Sequence, residues 1–98
     1  MEKLWVITVE ILVEPGDLPS GNTKAFANVV TWADSPSTAE ERLSRCLESY
    51  RWHLVGIEAA HPFDEARSYD DELMEIVEQA RTNPQACIIG TAFSYKPE

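Results

Sequence analysis

The sequence predicts one α+β domain, a two-layer sandwich in which a mixed four-stranded sheet carries two helices on one face. Alternating apolar residues mark four strands, and two segments between them have the apolar spacing of amphipathic helices. The 98 residues, 44% of them hydrophobic, suffice for a single packed core. We therefore expect residues 1–98 to form one domain with the element order β-β-α-β-α-β.

The first two predicted strands occupy residues 4–14 and 24–33. Every odd position from Trp5 to Val13 is apolar, which indicates a strand with one face on a core. Residues 15–22 contain two Pro and two Gly and are typical of a loop. We expect the two strands to pair antiparallel.

The first helix is predicted to begin at Asp34-Ser35-Pro36. Ser35 is a good N-cap and Pro36 suits the first helical position, although Ser37 with Glu40 offers a competing capping box. The apolar stripe of this helix consists of Ala39, Leu43, Cys46, Leu47 and Tyr50.

The second half of the chain is predicted to hold a strand at 52–60, a helix at 70–81 and a last strand at 86–95. Asn83-Pro84 ends the helix, whose inward residues are Leu73, Ile76, Val77 and Ala80. Strand–helix–strand crossovers usually join parallel strands, and this is why a mixed sheet is expected.

Two helices on one face would leave the other sheet face uncovered. That face would be too apolar to remain in water, so we predict a homodimer through it; the long loop or the tails offer an alternative cover. The residues expected at this dimer face are Leu4, Val6, Phe26, Val30, Trp32 and Leu54.

The net charge of −9 makes nucleic acid and membrane surfaces poor partners, because both need clustered Lys and Arg. The negative charge is compatible with a basic protein partner or a cation, and it could also serve only to keep the protein in solution. The start of the chain does not resemble a signal peptide, and no apolar stretch reaches the roughly 20 residues of a spanning helix. We expect a cytoplasmic protein in which Cys46 and Cys87 are small buried hydrophobes without a disulfide.

Acidic residues are concentrated between positions 58 and 78, where eight acidic residues face one basic residue, Arg67. This segment could form a docking face for a basic partner, or an ordinary solvated helix face. The predicted acidic docking face consists of Asp70, Asp71, Glu72, Glu75 and Glu78.

A second candidate site lies in the loop after the third strand. His61, Asp64 and Glu65 supply an imidazole and two carboxylates, which could bind a small molecule or a metal ion or serve in acid–base chemistry. Glu58 could join them or pair with Glu10 across the sheet. The alternative is a turn with solvated carboxylates, and no cofactor is predicted.

The segment from Trp32-Ala33-Asp34-Ser35-Pro36 to Leu43, followed by Tyr50, Trp52 and Ile57-Glu58, covers about a third of the chain. It resembles small bacterial single-domain α+β proteins of unknown function, in which a strand, a D-S-P cap, an amphipathic helix and a W-x-[LIV] strand recur. The resemblance implies the same fold and a bacterial cytoplasmic setting. It supplies no catalytic residues.

These observations favour a non-enzymatic interaction or regulatory module, homodimeric and with an acidic docking face. A sharper version is an immunity or antitoxin-like protein that neutralises a basic toxin. The alternative is a small-molecule or metal-binding protein, or a minor enzyme, that uses His61, Asp64, Glu65 and Glu58.

Overall fold

A computed structural model describes residues 2–16, 23–83, 85 and 87–90, and the backbone of residues 93 and 94. The predicted α+β class and element order are confirmed, with the last strand divided in two. Residues 17–22 of the predicted loop and residues 86, 91, 92 and 95 of the predicted last strand lie outside the described residues. The elements are β1 (Lys3–Leu12), β2 (Lys24–Ala33), α1 (Pro36–Ser49), β3 (His53–Pro62), α2 (Asp71–Thr82), β4 (Cys87–Ile89) and β5 (Phe93–Ser94).

The strands form one sheet in the order β3-β1-β2-β4, and β5 also pairs with β2. Every neighbouring pair is antiparallel, so the predicted mixed sheet is wrong. Because β2 and β3 are both antiparallel to β1, they point in the same direction, as expected for a crossover through α1. They do not pair, because β1 lies between them.

One face of the sheet packs against α1, and we call it the α1 face. In β1 its residues are the odd-numbered ones, including Ile7, Val9 and Ile11, all fully buried. In the antiparallel register Ile7 lies opposite Val29, which belongs to the same face. From α1, Ala39, Leu43 and Leu47 complete this core cluster.

The opposite face packs against α2, and we call it the α2 face. Leu4 and Val6 of β1 and Val30 of β2 form a second cluster there with the buried residues of the helix. The Trp32 indole Nε1 donates a hydrogen bond of 2.7 Å to the Ala80 carbonyl of α2. The inward residues of the helix are the predicted Leu73, Ile76, Val77 and Ala80.

The two helices therefore lie on opposite faces of the sheet, and the molecule has three layers. The predicted two-layer sandwich with both helices on one face is wrong in this respect. The physical reason is that β1 is apolar on both sides in its first half, where Leu4 and Val6 alternate with Trp5 and Ile7. Both sides have to be removed from water there, and one helix can cover only one of them.

The predicted dimer face is largely covered by α2. Leu4, Val6 and Val30 are at most 6% exposed, and Trp32 is partly buried beside the same helix. Leu54 packs instead against the cluster on the α1 face, and Phe26 is partly buried. The premise of an open apolar face is therefore wrong at most of these positions, while the oligomeric state itself stays a prediction.

Both helices begin at side-chain caps. Ser35 is the N-cap of α1, as predicted, and its Oγ accepts from the Thr38 backbone N–H at 3.2 Å, with Pro36 at the first helical position. Asp70 caps α2 in the same way, accepting from Leu73 N–H at 2.8 Å. Such caps satisfy backbone donors that have no partner within the helix.

Strand β3 forms one edge of the sheet. Its register with β1 shifts between Thr8 and Val9 and again between Glu10 and Ile11, which indicates two bulges. Val55 and Ile57 are 54% and 39% exposed on this strand. In the described part of the chain, no helix has both the length and the apolar character required to cross a bilayer.

The contact between Trp32 and α2 gives a direct test of the three-layer arrangement. Replacing Trp32 with Phe removes the donor to Ala80 and part of the buried ring, so we expect a loss of about 1–2 kcal/mol in the free energy of unfolding. Urea unfolding measures it. Tyr50→Phe, which removes an exposed hydroxyl, is the control and should change stability by less than about 0.5 kcal/mol. Equal effects of the two substitutions would contradict the packing of α2 on this face.

Candidate functional site

The outward surface of α2 carries the predicted acidic docking face, which we call the acidic face: Asp70, Asp71, Glu72, Glu75 and Glu78. All five residues are exposed, because the helix buries its other side against the sheet. Asp71 and Glu72 lie in the first turn, where the helix dipole stabilises negative charge. The five acidic residues are thus all accessible to solvent, four of them on α2 and Asp70 at its N-cap, where Oδ1 accepts from the Leu73 N–H.

Arg81 balances part of this charge at the end of the helix. Its guanidinium contacts Glu78 and Glu65, each at 3.0 Å, and lies over the Phe63 ring at 5.3 Å from the centroid. Glu78 and Glu65 are both well exposed, and ion pairs of this kind contribute little to stability. The pair with Glu65 joins the loop before α2 to the C-terminal end of the helix.

The imidazole of the predicted His61 site contacts Tyr69 and Arg67, which were not part of the prediction. The His61 Nε2 lies 3.3 Å from the Tyr69 hydroxyl and 3.4 Å from Arg67 Nη1. Because the guanidinium can only donate, Nε2 is best placed as an acceptor. The Tyr69 hydroxyl in turn accepts a hydrogen bond from the Asp64 backbone N–H at 3.2 Å. The imidazole therefore helps to hold the loop.

The carboxylates predicted for this site are not gathered around the imidazole. Asp64 Oδ1 accepts from the Ala66 N–H at 2.9 Å, and Glu65 contacts Arg81. Glu58 lies exposed at the first bulge of β3, while Glu10 lies opposite Gly56. Among the residues whose positions are described, no three His, Cys, Asp or Glu side chains come together to hold a metal ion. A small-molecule site at this loop stays a prediction.

A pocket of about 470 Å³ lies between α1 and the β4 edge of the sheet, on the α1 face. Sequence reasoning did not find it, because its residues come from distant parts of the chain. Only the pairing of β4 with β2, in which Thr31 lies opposite Cys87, brings them together. The lining residues are Thr31, Arg42, Arg45, Cys46, Gln85 and Cys87.

The two cysteines meet in this pocket. Cys46 Sγ lies 3.5 Å from the Cys87 carbonyl oxygen. Both cysteines are free thiols, as predicted, but they are partly exposed and not the small buried hydrophobes predicted from the sequence. A hydrogen bond from the Cys87 thiol lowers the pKa of Cys46, which its burial opposes. The same bond, burial and the Cys46 charge raise the pKa of Cys87 far above its usual range.

Charged and polar groups surround the thiols. Arg42 Nη2 contacts Glu2 at 2.8 Å, and its Nη1 donates to the Trp32 carbonyl. Arg45 contacts Glu41 at 2.7 Å on the exposed side of α1. Thr31 is fully buried opposite Cys87, and a hydrogen bond between their side chains partly opposes the rise in the pKa of Cys87.

No protein-family model, curated protein or solved structure matches this chain. Its function must therefore be argued from its own residues.

Proposed function

We propose that the chain is a non-enzymatic protein-interaction or regulatory module that binds a basic partner through the acidic face. The observation that carries this proposal is the exposure of all five carboxylates on the outward side of α2. A single helix presents them, and the hydrophobic contacts of its other side hold that helix on the sheet. The surface is therefore presented on a packed element, which favours specific recognition over a diffuse charge effect.

The charge pattern supports a partner with clustered Lys or Arg. Complementary surface charges accelerate association and fix the orientation of the complex, and their effect weakens as salt screens them. An immunity or antitoxin-like role against a basic toxin belongs to this class of function. We propose it as the sharper version, resting on size and charge alone.

A charge-reversal variant tests the acidic face. Changing Glu72, Glu75 and Glu78 to Lys should reduce capture of a stoichiometric partner from host lysate at least about tenfold, because the attractive potential over α2 is lost. Quantitative mass spectrometry of the captured proteins, at low and at high salt, measures the change. Capture by the original protein should fall as salt rises.

The matched control carries the same change in net charge on the other helix. Glu40, Glu41 and Glu48 are exposed on α1, and their replacement by Lys leaves the acidic face intact. We expect this variant to retain its partner. Equal loss of the partner in both variants would indicate a general charge effect and contradict a docking face on α2. Capture that neither variant reduces would contradict it as well. Urea unfolding of both variants checks that each is folded.

The predicted homodimer has separate support from the edge strand β3. This strand is ten residues long, lies at the edge of the sheet and exposes Val55 and Ile57. Unpaired strand edges can add the strand of a second copy, although bulges such as those in β3 oppose this. We propose pairing of β3 with β3 of a second copy as the route to a dimer, because α2 covers most of the face first predicted.

Sedimentation velocity tests the route through β3. The original chain should sediment as a dimer, and Val55→Lys should shift it to monomer, since a Lys on an edge strand opposes strand addition. Leu12→Lys is the control, because Leu12 is exposed on the interior strand β1. A monomeric original chain, or a dimer that survives Val55→Lys, would contradict the proposal.

A further inference from the structure

Cys46 and Cys87 are 41 residues apart in the sequence, and only the fold brings them together. Cys46 lies on the side of α1 that faces the sheet, and Cys87 is the first residue of β4, packed against the cluster on the α1 face. A disulfide between them would join α1 covalently to β4. A reversible redox pair needs two neighbouring thiols that a reagent can reach from solvent, and both cysteines here are partly exposed.

The environment makes the two thiols unequal. Cys87 packs against the core cluster on the α1 face, which hinders its approach by a reagent from solvent. A hydrogen bond from the Cys87 thiol also lowers the pKa of Cys46, while the same bond and burial raise the pKa of Cys87. We therefore expect Cys46 to react first. A thiolate is the nucleophile in thiol chemistry, and a neighbouring protonated thiol is suited to react in the second step.

The pocket that holds both thiols admits a small oxidant. Its volume of about 470 Å³ accommodates a hydroperoxide with a short substituent. Arg42 and Arg45 also line the pocket, but their guanidinium groups contact Glu2 and Glu41. We therefore assign the reaction to the two thiols and not to the guanidinium groups.

We propose that Cys46 and Cys87 form a reversible redox pair, in which Cys46 attacks a small hydroperoxide and Cys87 resolves the resulting sulfenic acid into a disulfide. This goes beyond the proposed docking function and rests on different residues.

The chemistry balances in two steps. The Cys46 thiolate attacks the terminal oxygen of the hydroperoxide, an S–O bond forms, the O–O bond breaks, and the departing alkoxide takes up a proton to leave as the alcohol. Cys46 is then a sulfenic acid. Cys87 Sγ attacks the Cys46 sulfur, an S–S bond forms, the S–O bond breaks, and hydroxide leaves with the Cys87 proton as water. The two thiols lose two electrons, which the peroxide gains, and a dithiol reductant returns them.

Oxidation of the full-length reduced protein with hydrogen peroxide tests the pair. Peptide mass spectrometry after blocking free thiols should show an intramolecular Cys46–Cys87 disulfide that dithiothreitol reverses. Before oxidation, iodoacetamide should alkylate Cys46 at least about tenfold faster than Cys87 at neutral pH, because the pKa of Cys46 is lowered and Cys87 packs against the core. Disulfides only between chains, or equal alkylation of the two thiols, would overturn the proposal.

Single variants separate the two roles. In Cys87→Ser the sulfenic acid on Cys46 cannot be resolved, so a dimedone label should accumulate there. In Cys46→Ser, Cys87 should take up dimedone at a rate at least about tenfold lower. Cys46→Ala and Cys87→Ala repeat the comparison if a serine variant fails to fold. Dimedone labelling of Cys87 in the Cys46 variants that is as fast as the labelling of Cys46 in the Cys87 variants would reverse the assignment and overturn the proposal.

Discussion

Burial of β1 on both faces is the constraint on which the rest of the structure depends. Ile7, Val9 and Ile11 contact the core beneath α1, while Leu4 and Val6 contact the core beneath α2. An interior strand with two apolar faces is unstable in water unless both faces are covered, and each fully buried aliphatic side chain contributes about 1.5–3 kcal/mol. The chain meets this requirement by sending α1 across one face, between β2 and β3, and α2 across the other, between β3 and β4.

The surfaces on which a function can be built follow from this layering. With its apolar side on the sheet, α2 must present its carboxylates to solvent, and this produces the acidic face. The antiparallel order leaves β3 as a long edge strand. On the α1 face, the short strand β4 brings Cys87 beneath the helix that carries Cys46. The docking proposal and the redox proposal therefore rest on opposite sides of the same sheet.

Local signals in the sequence predicted the elements well, and long-range contacts account for what was missed. Ser35 and Pro36 begin α1 as predicted, because capping depends on residues a few positions apart. The inward residues of α2 were likewise predicted from their spacing. The insertion of β1 between β2 and β3 could not be predicted, since strand pairing depends on contacts distant in sequence. The sequence did indicate a second apolar sheet face, at Leu4, Val6 and Val30. It did not show that α2 packs against that face. The pairing of Cys46 with Cys87 required the same unknown strand order.

The central claim is that α1 and α2 lie on opposite faces of the sheet, and proton–proton contacts between methyl groups test it most directly. In a nuclear Overhauser spectrum of methyl-labelled protein, the Val77 methyl groups should show contacts to Val30 or Val6, and the Leu43 methyl groups to Val9 or Val29. Contacts from Val77 to Val9 or Val29 would place both helices on one face and contradict the account.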